Sequence, residues 1–213
     1  DIISIKCRNS IQTSWKDPIS GYLYDFSSLK RTDKTPYIVN DHETEEPNYS
    51  IKYFFNIGEE HNMLCNNKKS IIAEFLEYEG KLTETCEILG SRDSRNVELI
   101  DNNDPDKGII IEYGNGDICT TSQNEELIWL PRKAKFKLIC SEKQDDNFIL
   151  DFPEEKQGTT KCIMEFKIHT PSGCPINNKF SYLIISLFFL FSFGLYMVLG
   201  YFYEKRFHDL EFL

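Results

Sequence analysis

The fold is decided by Cys162-Ile-Met-Glu-Phe-Lys-Ile-His-Thr-Pro-Ser-Gly-Cys174, an alternating β-type segment enclosed by two cysteines. The chain has 7 cysteines in all, and no two of them form a Cys-x-x-Cys pair. Such a pair is typical of zinc ribbons and of thioredoxin-like redox sites. Its absence leaves disulfide bonds as the predicted role of the cysteines, and bonds of this loop length contribute about 2 to 4 kcal/mol each.

Upstream of this stretch, short runs rich in β-branched and aromatic residues recur along the chain. After Pro131, alternation places Ala134, Phe136 and Leu138 on the same side of one strand as Arg132, with lysines on the other side. Clusters of Asn, Asp, Gly and Pro separate the runs and favour tight turns. The pattern predicts an all-β barrel or sandwich. Its runs are Leu23–Phe26, Ile51–Ile57, Gly108–Tyr113, Ala134–Cys140 and Cys162–Ile168.

One segment departs from this alternation. Between Lys69 and Lys81, the apolar residues Ile72, Phe75 and Leu76 follow helical spacing. We therefore expect a short helix there.

A second exception lies near the carboxyl end, where no residue from Phe180 to Tyr203 is charged. At about 1.5 Å per residue this run crosses the roughly 30 Å hydrocarbon layer of a bilayer, whereas a buried core helix rarely has more than about 18 such residues in a row. It predicts one transmembrane helix over 180–203. Lys205 and Arg206 follow the run and only Lys179 precedes it closely, so the positive-inside rule predicts a cytosolic tail over 204–213.

Residues 1–175 are then expected to form one luminal domain. Cysteine usage suits an oxidising compartment, and Asn48-Tyr-Ser50 is a glycosylation sequon that fits the same side of the membrane. The sequence opens with Asp1-Ile-Ile-Ser-Ile and no signal peptide, so either the numbering follows signal cleavage or a leader was not recorded.

Charge narrows the choice of partners. The formal net charge is −10, and the predicted tail accounts for −1 of it, which leaves −9 on the luminal part. A domain of this charge does not favour nucleic acid or anionic lipid as its main partner. Membrane proteins, luminal proteins and basic surfaces remain as expected partners.

Enzyme chemistry has no support in the sequence, which has no Gly-x-Ser-x-Gly, no His-Glu-x-x-His and no phosphate loop. We predict a protein that is not an enzyme and has neither cofactor nor metal. The acidic run 101–106 lacks the twelve-residue calcium-loop pattern and is expected to be a solvated turn. His42, His61 and His169 are scattered, and are read either as ordinary surface residues or as sensors of luminal pH.

Several segments occur in a specific order and spacing: Trp15 with Leu23–Leu29, Tyr53–Ile57, Cys65 to Cys86, Tyr113–Cys119, Phe136–Cys140, and Cys162–Phe166 with Thr170–Cys174. In that order they resemble mannose 6-phosphate receptor homology domains, the luminal modules of P-type lectins such as the cation-dependent mannose 6-phosphate receptor, and of autophagy-related protein 27. The resemblance covers nearly all of the predicted luminal part.

The resemblance implies a flattened β-barrel of two crossed antiparallel sheets, stapled by disulfides. The pairs that it implies are Cys65–Cys86, Cys119–Cys162 and Cys140–Cys174. Cys7 is left over, because Gly58 stands near the position of its family partner. We expect Cys7 to be a free thiol or to pair with another chain.

The resemblance also implies a ligand site. In sugar-binding members a Gln, an Arg, a Glu and a Tyr hold the hydroxyls of mannose. Arg132 and Glu154 match the arginine and the glutamate, with Glu155 as an adjacent alternative. Glu87 stands in place of the glutamine and Met164 in place of the tyrosine, which removes an amide and a hydroxyl. We therefore expect a degraded mannose site with weak N-glycan binding, or an ion pair of Arg132 with Glu154 that only orders this end of the domain.

The functional prediction is a single-pass type I membrane protein of the Golgi, endosome, lysosome or vacuole. Its luminal domain is expected to act in trafficking as a non-catalytic binding or interaction module. One alternative is an accessory subunit of a larger membrane complex, for example a proton-pumping V-type ATPase. Small residues in the span, such as Ser181, Ser186 and Gly194, suit that alternative. A second alternative is a mannose-type lectin that acts as a cargo receptor.

Overall fold

A computed structural model describes residues 13–33, 35–41, 48–123, 126–151, 162–176 and 179–210. The chain divides into two compact units, Asp1–Ile176 and Asn177–Leu213. The first is built of strands and the second of one helix, α1, over Lys179–Leu210. The strands are β1 Ser14–Lys16, β2 Leu23–Asp25, β3 Tyr37–Asp41, β4 Tyr49–Phe55, β5 Ile72–Tyr78, β6 Lys81–Gly90, β7 Asn96–Leu99, β8 Gly108–Tyr113, β9 Ile118–Gln123, β10 Glu126–Pro131, β11 Lys133–Cys140, β12 Ile149–Leu150 and β13 Ile163–Thr170.

Strands β3, β4, β5 and β6 form a four-stranded antiparallel sheet in chain order. The helix predicted between Lys69 and Lys81 is wrong, because β5 occupies most of this segment. Strand β5 turns into β6 at Glu79 and Gly80, whose φ angles of 49° and 78° are those of a tight hairpin turn. Pairing with β4 and β6 outweighs the weak helical spacing of the segment's apolar residues, since both faces of β5 are largely buried.

The second large sheet has the strand order β12-β13-β11-β8-β7. Its centre is β11, whose inward Ala134, Phe136 and Leu138 are fully buried, as the alternation predicts. Strand β11 runs antiparallel to β8 but parallel to β13, so this sheet is mixed, whereas the four-stranded sheet is antiparallel as the resemblance implies. A parallel neighbour is possible because the chain between β11 and β13 is long enough to return to the end of the sheet at which β11 begins.

The two large sheets face each other across an aromatic core. Phe55 of β4 lies 4.8 Å from Phe136 of β11 and 5.2 Å from Phe166 of β13 between ring centroids. Tyr53 meets Phe166 edge-on at 5.4 Å. Such ring pairs add about 0.5 to 1.5 kcal/mol each beyond the area that they bury.

The expected barrel does not close among the strands that the structure describes. These strands form four separate sheets, the two large ones and the hairpins β1–β2 and β9–β10. Among the described residues, the only β-bridge between these parts of the two large sheets is the isolated one of Gly90, at the end of β6, with Asn115, beyond β8. A Cβ on Gly90 would lie 2.7 Å from the Cβ of Tyr113, so the backbones approach each other there without forming a ladder. Side-chain packing across the core joins the sheets instead.

Three disulfides staple the β unit, Cys65–Cys86, Cys119–Cys162 and Cys140–Cys174. They are the pairs that the resemblance implies. Cys65–Cys86 holds the loop before β5 against β6, and Cys140–Cys174 holds the end of β11 against the last residues of the unit. Cys7 lies outside the described residues.

The α1 helix has 32 residues and includes the predicted span over 180–203. Its described side chains, at 186–201 and 203, are all exposed within this single chain. A search of the described residues finds no helix with both the length and the apolar character of a membrane span.

Candidate functional site

The predicted sugar site lies where one end of the four-stranded sheet meets the start of β11 and β13. Glu74 of β5 and Glu87 of β6 are direct cross-strand partners, and Tyr53 of β4 is the partner of Glu74 on its other side. Like charges placed opposite each other destabilise a sheet unless a cation lies between them. Arg132, at the junction of β10 and β11, supplies that cation.

Arg132 forms ion pairs with both glutamates. One terminal nitrogen contacts Oε2 of Glu87 directly, and the other lies 3.9 Å from Oε2 of Glu74. The Arg132 side chain is only 15% exposed. Partial burial reduces solvent screening, so these contacts are stronger than those of a surface pair. The guanidinium that would bind sugar hydroxyls is therefore already engaged by two carboxylates of the same chain.

A short loop fixes Arg132 against β6. The backbone N–H of Arg132 donates to the carbonyl of Asp117 at 2.9 Å. Asp117 in turn exchanges backbone and side-chain hydrogen bonds with Ile88 at 2.7 Å each, one residue beyond Glu87. Gly116 allows this close approach, because a Cβ there would lie 2.6 Å from the carbonyl oxygen of Ile88. The contact of Arg132 with Glu87 is thus held by the backbone on both sides.

Met164, which the resemblance places at the position of a tyrosine, is buried in the core. The hydroxyl of Tyr53 donates to its sulfur at 3.8 Å. Burial raises the pKa of the Tyr53 phenol, and the nearby charges of Glu74 and Asp41 raise it further. The Tyr53 hydroxyl is therefore neutral at every physiological pH and acts as a donor to Met164.

The structure brings together three predicted site residues, Arg132, Glu87 and Met164, through contacts with Glu74 and Tyr53 that no sequence pattern indicates. Glu154 and Glu155 lie outside the described residues, so their predicted roles are not placed. Reading β5 as a helix hides Glu74. In a strand, Glu74 lies two residues from the buried Ile72 and on the same face. A glutamate on a buried face is the sequence pattern that would have indicated this site.

The acidic run 101–106 is a turn that is closed by Lys107, the residue that follows it. Lys107 donates to Asp101 at 2.6 Å, and this hydrogen bond holds the pKa of the Asp101 carboxyl below its usual value. The described residues contain no group of three or more His, Cys, Asp or Glu that could hold a metal ion.

A Ser–His contact occurs at Ser70 and His61, whose Oγ and Nε2 atoms are 3.4 Å apart. Both residues are buried, and no described residue hydrogen-bonds to Nδ1 of His61. A nucleophile activated by histidine needs access to substrate and a group that orients the imidazole. The geometry is that of a buried structural contact.

Asn48 of the predicted sequon is exposed in the turn that precedes β4. Its carbonyl accepts from the backbone of Glu79 at 3.0 Å, and the Ser50 hydroxyl donates to Glu77 at 2.6 Å. Glycosylation of Asn48 stays a prediction.

A second exposed feature lies next to the ion pairs, in the β9–β10 hairpin. Ile118, Leu127 and Trp129 are 61%, 72% and 70% exposed. The cross-strand register, with Ile118 opposite Pro131 and Trp129 opposite Thr120, places all three residues on one face. The Cys119–Cys162 disulfide fixes the base of the hairpin. We call Ile118, Leu127 and Trp129 the hairpin face.

Comparison with known proteins gives matches only among solved structures, because the sequence matches no family model and no curated protein. One match is chicken IGF2R domain 11, with 19% identity, a TM-score of 0.48, and coverage of 79% of this chain and 96% of that chain. Another is the NMR solution structure of domain 11 of the echidna mannose 6-phosphate/IGF2R receptor, with 19% identity, a TM-score of 0.48, and coverage of 76% and 94%. Matches at this level carry no inference about ligands.

Proposed function

We propose that the β unit is a non-catalytic protein-binding module of a membrane-anchored protein in the secretory and endolysosomal pathway, and that its sugar site is closed by its own side chains. The observation that carries this proposal is the ion pairing of Arg132 with Glu87 and Glu74. Met164, the hairpin face and the helical unit add support.

A mannose hydroxyl would have to compete with two carboxylates for the Arg132 guanidinium. A hydrogen bond to a charged group contributes about 1.5 to 3 kcal/mol, and each 1.4 kcal/mol is tenfold in affinity. Displacing the contact with Glu87 alone therefore lowers sugar affinity by about 10- to 100-fold. A phosphorylated sugar is disfavoured further, since Arg132 and its two glutamates sum to a negative charge.

Met164 removes a second contribution to sugar affinity, the hydroxyl of a tyrosine. A tyrosine at this position would offer a hydroxyl to the ligand, whereas the thioether of Met164 is buried and accepts from Tyr53. Together, the two changes lower the affinity for a single mannose by two or more factors of ten.

The hairpin face suits a protein partner. Tryptophan is enriched among the residues that dominate protein interfaces, and contiguous exposed apolar residues on a folded domain mark interaction sites. A disulfide at the hairpin base lowers the entropy cost of binding, because the binding residues are already ordered.

The helical unit supports membrane anchorage. Phe180–Tyr203 carries no charged residue, and the side chains described there are exposed on every side of α1. A helix that is apolar all round requires an apolar environment, which a bilayer supplies.

An accessory subunit of a larger membrane complex is a second candidate. A Cβ added to Gly194 or Gly200 of α1 would meet nothing within 4 Å, so the helix surface is open at both positions. Small residues let a second helix approach closely in a membrane. Purification from native membranes in mild detergent separates the two candidates. Stoichiometric co-purification with a fixed set of multispanning subunits would favour the accessory subunit over the trafficking protein.

The proposal itself is tested by parallel co-purification of the wild type, Trp129→Ala and Arg132→Ala from native membranes, with and without removal of N-glycans from the other proteins. We expect partners that survive glycan removal and persist with Arg132→Ala, but are depleted at least fivefold with Trp129→Ala. Partners lost with Arg132→Ala and with glycan removal, yet kept with Trp129→Ala, would reject the proposal in favour of a lectin.

A further inference from the structure

The loop between β4 and β5 covers a small apolar cluster on the four-stranded sheet. Phe54 of β4 and Phe75 of β5 lie on the sheet face that points away from the aromatic core, with their rings edge-on at 5.1 Å between centroids. Both side chains are buried, and with Cys65 they belong to a cluster separate from the main core. Met63 of the loop packs against this cluster. We call the segment 59–64 the lid.

The lid is held at both ends by contacts that do not involve its own residues. Before it, the backbone N–H of Gly58 donates to the hydroxyl of Tyr113 at 3.1 Å. After it, Cys65 forms the disulfide with Cys86 and exchanges backbone hydrogen bonds with Lys68 at 3.0 and 2.9 Å. These anchors confine any movement of the lid to the residues between them.

Within the lid, His61 makes the central contacts. Its backbone N–H donates to the carbonyl of Ser70 at 3.2 Å, and among the described residues this is the lid's one backbone-to-backbone hydrogen bond. Its side chain is buried, with Nε2 3.4 Å from the Ser70 hydroxyl. An ion pair of Glu59 with Lys30 at 3.1 Å holds the start of the lid. A segment with so few hydrogen bonds opens locally more readily than a paired strand.

A proton on His61 would place an uncompensated charge under the closed lid. No described residue accepts a hydrogen bond from Nδ1. Burial lowers the pKa of the imidazole from 6.5 to about 4, although the backbone carbonyls of Phe54 and Met63 lie close enough to favour the proton. The closed lid therefore requires a neutral His61.

The charged groups around the lid do not take over this role. Lys52 of β4 and Glu77 of β5 contact each other at 2.6 Å on the sheet face that the lid covers, and β6 contributes the neutral Cys86 and Ile88. The charged residues of the loop itself are Glu59, Glu60, Lys68 and Lys69. Carboxyl and ammonium groups ordinarily change charge outside the range from about pH 7 to about pH 5, whereas imidazole changes inside it.

We propose that the lid is a pH-sensitive switch: in acid, His61 takes up a proton and the lid opens, which uncovers Phe54 and Phe75 while both anchors hold. The inference goes beyond the proposed function and does not depend on it. The closed lid is fully stable above the ordinary imidazole pKa of 6.5 and loses stability as pH falls toward 4. The opening equilibrium therefore rises about 20-fold between about pH 7 and about pH 5.

The test is hydrogen exchange of the full chain in detergent at about pH 7 and about pH 5, with rates corrected for the pH dependence of the chemical exchange step. A series of low urea concentrations separates local from global opening, because a local opening exposes little surface and depends weakly on urea. The lid amides are compared with those of β11. His61→Phe removes the titrating group, and His169→Gln is the control at an exposed histidine. His61→Gln replaces His61→Phe if the latter does not fold.

We expect the protection of the lid amides to fall about 20-fold in the wild type and in His169→Gln, with weak urea dependence, and by less than about threefold in His61→Phe. An equal fall in His61→Phe would overturn the inference, because the imidazole would not be the switch. A fall in the lid that occurs only together with β11, with the same urea dependence, would also overturn it, because acid would then act on the whole β unit. Neither result would touch the proposed binding role.

Discussion

His61 is predicted to make the stability of the β unit fall steeply between neutral and acidic pH. It lies in the loop between β4 and β5, where it is 1% exposed and donates its backbone N–H to the carbonyl of Ser70 at 3.2 Å. Burial lowers the pKa of the imidazole from 6.5 to about 4. The folded protein therefore keeps His61 neutral throughout the pH range of the secretory and endolysosomal pathway.

The magnitude follows from proton linkage. In the unfolded chain His61 takes up a proton below its ordinary pKa of about 6.5, whereas the folded chain does so only near 4. The stability associated with neutral His61 is thus fully present above pH 6.5 and is lost as pH falls from 6.5 to 4. A pKa difference of about 2.5 is worth about 3 kcal/mol at the acid limit, and about 2 kcal/mol is already lost at about pH 5.

The assay is equilibrium unfolding in urea of the full chain in detergent, with disulfides intact, followed by the fluorescence of the two tryptophans, Trp15 and Trp129, at about pH 7 and about pH 5. His61→Phe keeps a ring of similar size but does not titrate, so its loss of unfolding free energy between the two pH values should be about 2 kcal/mol smaller than in the wild type. His169→Gln changes an exposed histidine and should keep the wild-type loss.

Equal losses in all three proteins would refute the burial argument, because His61 would then be protonated in the folded state as easily as in the unfolded state. If His61→Phe does not fold, His61→Gln gives the same comparison, since only the pH-dependent difference is used.

Further predictions concern the core and the ion pairs. Phe136→Ala, in the stacked and edge-on ring cluster, should lower the free energy of unfolding by about 3 to 5 kcal/mol in the same urea assay, and a loss under 1 kcal/mol would contradict the packing. Arg132→Ala should cost about 1 to 3 kcal/mol, between the values for exposed and buried pairs, because it leaves two carboxylates side by side while the Glu87 side chain is 42% exposed. Adding Glu74→Gln and Glu87→Gln to that variant should restore most of the loss, and no restoration would mean that the charges do not cause it. Gly116→Ala should lower the urea midpoint, since its Cβ would clash with the backbone at Ile88, and an unchanged midpoint would show that this loop can move away from β6.

The parts of the fold visible in the sequence are those set by local alternation or by cysteine positions. Strand β11 is an example, since its buried Ala134, Phe136 and Leu138 alternate with lysines that reach the surface. The three disulfides follow from the order and spacing of segments in the resemblance. Neither inference needs knowledge of which strands are neighbours in space.

The features that the sequence does not show depend on distant pairing. Tertiary packing determines the parallel contact of β11 with β13 and the separation of the described strands into two large sheets. Such packing leaves no local pattern in the sequence. The apolar spacing of β5 fits a helix as well as a strand, and only pairing with both neighbours decides between them. The same ambiguity hides Glu74, and the contacts of Arg132 with Glu87 and Glu74 depend on that strand pairing.

The central claim is that this chain's own glutamates and Met164 close the sugar site. The most direct test is the affinity of the purified full chain in detergent for a mannose-terminated glycan, measured by calorimetry beside the variant Glu87→Gln/Met164→Tyr, which restores the two family residues. The account predicts no measurable binding by the wild type at millimolar glycan and a gain of at least about tenfold in the restored variant. Wild-type binding as tight as that of the restored variant, abolished by Arg132→Ala, would contradict it.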